Sequence, residues 1–563
     1  MARERRLRAS AWGTAGAFGF LWFLARFHAS ALDVTNVGWL MAGDWGQAEL
    51  GWLFFRHAPW SFPLGGIPQL LAPVGTSIAL TDATPLVSLL LKPFSAFLPQ
   101  AFQFIGPWLA LCFTLQGMGG ALVTSVFTKD RWLQALGGGV FVLAPVLDLR
   151  TGHASLCAHW LLLGSIWLLL RPAPDGGVRG WVLAAVAWVG LSALIHPYLW
   201  AMVTVLAFAL LWRLHLERRA RGAVLLGAAA GMLGLSLVEL FCLGLVGRSL
   251  GRTAAGFGAY NSDLLTLFNP AGLSRLLPSF PTAPGQWEGI GYLGLGVLAL
   301  LAVGAVWGWP RRRALGASER TRWRPLGVAA CLLAVFAVAS VVTAGGVTLV
   351  SARTLLRPLD PLTGAFRASG RFIWPLHYAL VTAAIALTVR RWPRALPAGL
   401  LLLAAVLVQV LDARRAPVDT APDASWNRLS SPRWDALAQG RAHLVVYPTQ
   451  LHVGGGDGCK YENTHPEALY VSADWLAYRH GMTVNSGYAS RVDAKAMQAA
   501  CAGLITSVQS GQLAPDTLYL VARGWEAAFL RHAGVECERL DGALACVTGA
   551  VAVGRPLPQV KGP

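Results

Sequence analysis

Asp44 stands in the string Gly43-Asp44-Trp45-Gly46-Gln47, about fifteen residues beyond an apolar run over 11–29. A carboxylate held between Gly and Trp close to a lipid surface is placed to act on a lipid headgroup. The plainer alternative is a helix cap, since Asp is common at helix starts. Gly51-Trp52-Leu53-Phe54-Phe55-Arg56 follows, and then Thr81-Asp82-Ala83-Thr84-Pro85-Leu86. The spacing of Trp45, Leu50, Trp52, Leu53 and Phe54 predicts an amphipathic helix lying on the membrane. Asp82 could bind substrate or cap a helix that begins near Pro85. Further along, Phe257-Gly258-Ala259-Tyr260-Asn261-Ser262-Asp263 and Gln286-Trp287-Glu288 combine an aromatic ring with polar groups, as sugar sites do. Tyr260, Asp263 and Glu288 are therefore substrate-binding candidates, with ordinary loop packing as the alternative. Glu239 lies inside an apolar run, where an ionisable group is either functional or paired. His153 and His159, six apart, do not share a helical face, which argues against a metal site.

The elements that hold these residues belong to a membrane protein. Of 563 residues, 55% are hydrophobic and 13% charged. Soluble domains carry about a quarter charged residues, so a soluble globular enzyme is excluded. About eleven apolar runs are long enough to be membrane spans: 11–29, 103–127, 132–147, 154–170, 180–195, 197–213, 222–246, 290–309, 325–343, 371–389 and 395–411. His196-Pro197-Tyr198 divides the fifth from the sixth, because proline disfavours helix in the residue before it. Ala29-Ser30-Ala31 imitates a signal cleavage site. Arg26 and His28 interrupt the approach to it, so an uncleaved first helix is expected.

The formal charge is +18, and the whole excess lies before Asp412: residues 1–411 carry 32 basic and 14 acidic residues, and 412–563 carry 14 of each. Lys and Arg gather in cytoplasmic loops. Alternate loops from the N-terminus onward hold 21 basic and five acidic residues. The excess thus reports topology, and no nucleic-acid partner is expected. The N-terminus is cytoplasmic in this reading. A first outer loop spans 30–102, a second 247–289, and the tail 412–563 lies outside. Cytoplasmic loops are too short for an ATPase or a nucleotide-sugar domain, and no G-x-x-x-x-G-K-[ST] string is present.

The tail predicts a small α/β domain. Strand-like runs over His443–Tyr447, Met482–Val484 and Thr517–Ala522 alternate with helix-like ones over Pro466–His480, Asp493–Ser507 and Gly524–His532. Asp541-Gly542 is a hairpin signal between Val535–Leu540 and Ala543–Val547. That turn sets Cys537 opposite Cys546, within bridging distance. Cys459 and Cys501 form the remaining pair, and both bonds suit an oxidising compartment. Free buried thiols are the alternative.

The layout resembles the C-type integral-membrane glycosyltransferases: one membrane helix, a large first outer loop with an early Asp and two interfacial helices, many further spans, and a soluble outer domain. Gly43-Asp44, Gly51 to Arg56, Pro59-Trp60 and Pro63 are similar to the family's first acidic loop motif, and Pro85-Leu86 through Lys92-Pro93 to its second interfacial helix. The GDW-x-Q, GWLFFR and ASGRF-x-W strings, the last at Ala368 to Trp374, resemble an uncharacterised bacterial branch. The resemblance implies an all-α polytopic membrane bundle over 1–411 with a periplasmic domain over 412–563, in a bacterial inner membrane. It implies transfer of a sugar from a polyprenyl-phosphate or diphosphate donor to a glycan, lipid or protein acceptor. Asp44 is then the general base, and Arg367, Arg371 and Arg56 meet the donor phosphate. Arg371 has a second reading as a side chain snorkelling from a helix end. Trp45 stands where many members carry a second acid, so a divalent cation is possible but no cofactor is fixed. A transporter or flippase of a lipid-linked glycan is the alternative. It predicts midplane ionisable groups and internal repeats, of which one acid and no repeat are found.

Overall fold

The structure is a computed structural model that describes residues 2–173, 177–246, 257–308, 316–392, 394–453 and 469–548. The chain divides into two compact units. One comprises Met1–Leu32, Ile105–Glu239 and Arg252–Asp419, and the other Asp33–Phe104, Leu240–Gly251 and Thr420–Pro563.

The first unit is helical. Among the described residues, six helices are long and apolar enough to cross a membrane: Ile105–Thr124, Pro197–Leu216, Gly222–Cys242, Ala317–Val338, Ser369–Arg391 and Ala395–Asp412. Their backbone groups are satisfied internally, which a hydrocarbon surrounding requires. The other expected spans fall on the helix Ala2–Phe27 and on shorter ones, Arg131–Val142, Trp160–Leu170, Arg179–Ala193 and Leu295–Gly308. The expected helix over 132–147 stops at Val142. Pro145 has no N–H to donate and pushes Ala144 out of the helical region, to ψ 119°. At twelve residues the remaining helix is about 18 Å long. Pro197 opens its helix as read, with His196 as the cap and its imidazole accepting from the Tyr198 N–H at 3.1 Å.

Close packing at small residues joins Ala2–Phe27 to Ile105–Thr124. A Cβ on Gly19 would fall 2.1 Å from the Phe113 carbonyl oxygen, and one on Gly117 2.1 Å from that of Ala15. Backbones approach so nearly only where side chains are absent. Arg26 closes the end of this pair, donating to Asp148 at 2.9 Å and to the carbonyls of Arg415 and Ala416.

The second unit is built on a five-stranded sheet in the order Val535–Leu540, Ala543–Thr548, Thr517–Val521, His443–Tyr447, Thr483–Val484. The first three strands pair antiparallel and the last two join in parallel. Helices Tyr470–His480 and Ala494–Ser510 lie between strands in the chain, as an α/β pattern requires. The core contains Tyr447, Val508, Tyr519, Val521, Phe529 and Leu544 beside the Cys537–Cys546 disulfide. Asp541 and Gly542 take φ of 48° and 81°, the conformation an Asp-Gly hairpin turn needs. Cys537 therefore faces Cys546, with their Cα atoms 4.1 Å apart. Cys501 is also disulfide-bonded. Its expected partner Cys459 lies outside the described residues.

Part of the segment 33–104 belongs to this sheet. Leu70 bridges Val484 in parallel, with the Val484 N–H donating to Gln69 and the Ala72 N–H to Val484, both at 2.8 Å. The helix Gly43–His57 is correspondingly a core helix, not the surface-lying one that its spacing predicts. Leu50, Trp52, Leu53, Phe54 and Phe55 are all buried. Trp52 donates to the Phe102 carbonyl at 3.0 Å and meets the rings of Phe102 and Phe104. Gly46 through Arg56 are buried without a break, Gln47, Glu49 and Arg56 among them, so over these residues the helix keeps no exposed face.

A carboxylate and phenol site in the second unit

Asp44 is half-buried in the first turn of Gly43–His57, whose capping residue is Ala42. It is not the cap. A negative charge there is favoured by the exposed N–H groups of the helix start. The Tyr488 hydroxyl donates to Asp44 Oδ1 at 2.8 Å. Trp45 sits edge-on to Trp39 at 5.2 Å. Gln47 donates to the Leu80 carbonyl at 3.2 Å and the Ser490 N–H to the same oxygen at 2.7 Å, which keeps the strand of Tyr488 beside the helix.

Behind this pair stands a second carboxyl group. Asp474 is 1% exposed, and neither of its oxygens has a hydrogen-bond partner. Burial holds its carboxyl well above the ordinary range. Gly487, next to Tyr488, has a φ of 143°, and a Cβ there would lie 3.3 Å from Asp474 Oδ2. Tyr470 feels both acids: burial, then Asp474, then Asp44 push its phenol up to about 12. The arrangement is a half-exposed carboxylate with a phenol donor bonded to it and an acid buried nearby without a hydrogen-bond partner. Glu49, on the same helix as Asp44, is fully buried with both oxygens unpartnered, and its carboxyl is likewise raised by burial against the opposing pull of Arg56.

Arg56 does not present a free guanidinium. It donates to the carbonyls of Ser95, Leu98 and Pro99 at 2.8, 3.1 and 2.7 Å and lies near the rings of Trp52 and Phe102. It ties the loop to the helix, which corrects the expectation of a phosphate contact. Asp82 is half-buried with φ 63°. The residue preceding Pro85–Leu91 is Thr84, which makes no side-chain cap, so Asp82 is not that helix's capping residue.

In the first unit, Glu288 and Arg371 satisfy each other. Arg371 is bidentate on Glu288 at 2.9 and 2.7 Å, and Arg150 donates to the same carboxylate at 2.5 Å. Burial works to raise the Glu288 carboxyl, but the two guanidiniums prevail and hold it well below the carboxylate range. Neither the phosphate role expected of Arg371 nor the substrate role expected of Glu288 is open to a side chain so engaged. Asp263 accepts from the N–H groups of Leu265, Gly345 and Gly346 and from the Thr343 hydroxyl. It thereby anchors the hairpin of Val341–Ala344 and Val347–Ser351, a structural task. Arg367 lies over the ring of Tyr260, 5.6 Å from its centroid, and both are half-buried. Among the described residues, no group of three or more His, Cys, Asp and Glu could hold a metal ion.

Sequence reasoning missed Tyr488, Tyr470, Asp474 and Arg150. Tyr470, Asp474 and Tyr478 recur every four residues, a spacing that aligns side chains on one helical face and that could have singled out the buried acid.

A family model described as a domain of unknown function, DUF6311, matches residues 16–414, and the DUF6311 C-terminal domain matches 433–548. The chain belongs to the DUF6311 family. The family boundary assigns residues 33–104 to the larger domain, whereas contacts place them with the C-terminal segment. No curated protein matches the chain.

Proposed function

We propose that this DUF6311 protein is a C-type membrane glycosyltransferase of about eleven spans. In this reading the N-terminus is cytoplasmic and residues 412–563 are periplasmic in a bacterial inner membrane. It moves a sugar from a polyprenyl-phosphate or diphosphate donor to a glycan, lipid or protein acceptor. The observation that carries the reading is the Asp44 carboxylate bonded by Tyr488 at 2.8 Å and half open to its surroundings. An acceptor hydroxyl has a pKa far above neutrality and needs a base as it reacts. Its oxygen attacks the anomeric carbon, its proton passes to Asp44, and the bond to the phosphate breaks with the electron pair leaving on phosphate. The phenol of Tyr488 fixes the plane of the carboxylate. Arg56 and Arg371 are committed to carbonyls and to Glu288, so the phosphate is met by other donors. The disulfide at Cys537 and Cys546 fits an oxidising compartment. The flippase alternative draws on buried charge, and the mutual pairing of Arg150, Glu288 and Arg371 favours the enzyme over it.

Purified protein and its Asp44→Asn variant, incubated with a panel of polyprenyl-phosphate sugars, test the reading. Wild-type turnover that falls by about 10²–10⁴ in the variant supports it, the range for loss of a general base. Turnover retained in full by the variant removes Asp44, and no turnover from any donor removes the enzyme.

A further inference from the structure

The sheet of the second unit carries a polar row beneath a helix. His443 pairs in parallel register with Thr483 on one side and with Thr517 on the other. The three residues therefore stand in one line across three strands and share a face. Parallel strands covered on both faces read as near-continuous apolar runs, so a row of two threonines and a histidine at this place departs from core packing. The His443 Nδ1 and the Thr483 hydroxyl lie 2.7 Å apart, and Asp516 stands 3.6 Å from the other ring nitrogen. The next row on this face is Val445 with Tyr519.

The helix Ala494–Ser510 closes on the sheet at one end only. Val508 packs into the core with Tyr447, Tyr519 and Phe529. Nearer its start, a cavity of about 450 Å³ opens between the helix and the strands, within the range of small-molecule sites. Met497, Ala500 and Leu504 wall it from the helix, and Pro68, Ala72 and Pro73 from the segment that pairs beside Val484. The polar row, Val445 and Tyr519 form its floor. Cys501, on the same wall, is disulfide-bonded, which ties the helix at the cavity. Every one of these residues belongs to the second unit.

The lining selects the class of ligand. Among the described residues that line the cavity there is no Lys, Arg, Asp or Glu, and a buried anion needs a cation beside it. Asp516, behind His443, adds a negative charge that opposes one. A sugar is a poor match as well, since it carries a hydroxyl on most of its carbons. Asn485 is already engaged with Thr449 and the Val446 backbone, and Thr483 with His443. We propose that the cavity binds an uncharged amphiphile: an alkyl or acyl chain lying against Val445, Met497 and Leu504, with a hydroxyl or carbonyl end that meets His443, Thr483 and Thr517. The proposal does not depend on the chemistry of Asp44.

The test uses the full chain in nanodiscs. Dodecanol carrying a diazirine and an alkyne is dosed as a fraction of the lipid and photolysed, and its adducts are located by mass spectrometry. Saturable labelling within Ala494–Ser510 or His443–Tyr447 is expected, and it should disappear in Ala500→Trp, whose indole fills the cavity. Labelling confined to the membrane helices overturns the proposal, as does labelling at the cavity that does not saturate or that persists in Ala500→Trp. If Ala500→Trp lowers the thermal midpoint, Thr483→Val decides, because it removes a hydroxyl with little change of shape. It should weaken labelling by the alcohol several-fold, the worth of one hydrogen bond, and leave labelling by the matching diazirine alkane unchanged. Equal labelling by the alcohol in Thr483→Val and wild type overturns the role of the polar row. Displacement of the probe by methyl glucoside more readily than by unlabelled decanol overturns the choice of an amphiphile.

Discussion

Replacing Glu288 by Gln removes the one negative charge between two buried guanidiniums. The native carboxylate accepts from Arg150 at 2.5 Å and from Arg371 at 2.9 and 2.7 Å. Two Arg and one Glu leave a net charge of +1 in the cluster, and E288Q raises it to +2. Arg371→Met instead leaves Arg150 and Glu288 as a neutral pair, although it deletes more hydrogen bonds from the carboxylate than loss of Arg150 would. Charge and hydrogen-bond count therefore rank the two variants differently. Breaking a buried pair costs about 3–5 kcal/mol, because the partner is left uncompensated. An exposed pair would cost about 0–1 kcal/mol. If the cluster is absent in the unfolding transition state, unfolding of E288Q accelerates by roughly two to three and a half decades, at about 1.4 kcal/mol per decade. The half-life of monodisperse protein at a fixed temperature in detergent, read by size-exclusion fluorescence, measures this. The expected order of half-lives is wild type, then Arg371→Met, then Glu288→Gln. Arg371→Met falling as far as Glu288→Gln, or Glu288→Gln matching wild type, would refute the electrostatic argument.

Asp474 predicts a pH dependence. Its folded carboxyl titrates well above the unfolded value, so the folded state keeps a proton that the unfolded state releases above about pH 4. The stability it contributes is full below that value and declines by about 1.4 kcal/mol per pH unit as pH rises toward the folded value. Asp474→Asn, neutral throughout, should flatten the fall in thermal stability between pH 5 and 8, and equal slopes in both proteins would count against a buried neutral acid. Opening the Cys537–Cys546 bond, which closes a sequence separation of 9, should cost about 2–3 kcal/mol by loop entropy. The Cys537→Ser, Cys546→Ser double variant should unfold at lower denaturant than wild type, and an unchanged midpoint would contradict that estimate. Tyr488→Phe removes the bond to Asp44 without changing shape and should lower turnover about tenfold, the worth of one charge-assisted hydrogen bond.

What the sequence makes legible is local. The Asp541-Gly542 turn, the strand over His443–Tyr447 and the helix break before Pro197 each rest on residues within a few positions of one another, and the structure has them. Apolar character runs on through 132–147, but Pro145 ends the helix before it, at Val142. The pairing of Leu70 with Val484 and of Asp44 with Tyr488 joins residues more than 400 apart, and no periodicity announces such partners. The same limit hid what Arg56, Asp263, Glu288 and Arg371 do. Their residue types suggest ligand contacts, but a charged side chain closing on carbonyls, amides or another charge reads identically in one dimension. The helix Gly43–His57 misled in the opposite sense, since aromatic residues spaced for a membrane surface serve equally well for a core.

Most direct is a cryo-electron microscopy structure of the full chain in nanodiscs with a non-hydrolysable polyprenyl-phosphate sugar bound. General-base action by Asp44 predicts the anomeric carbon about 5–6 Å from its carboxylate, room for one acceptor hydroxyl within hydrogen-bond reach of the acid and in line with the carbon. A sugar bound more than about 10 Å from Asp44, too far even for a bridging water, would contradict it.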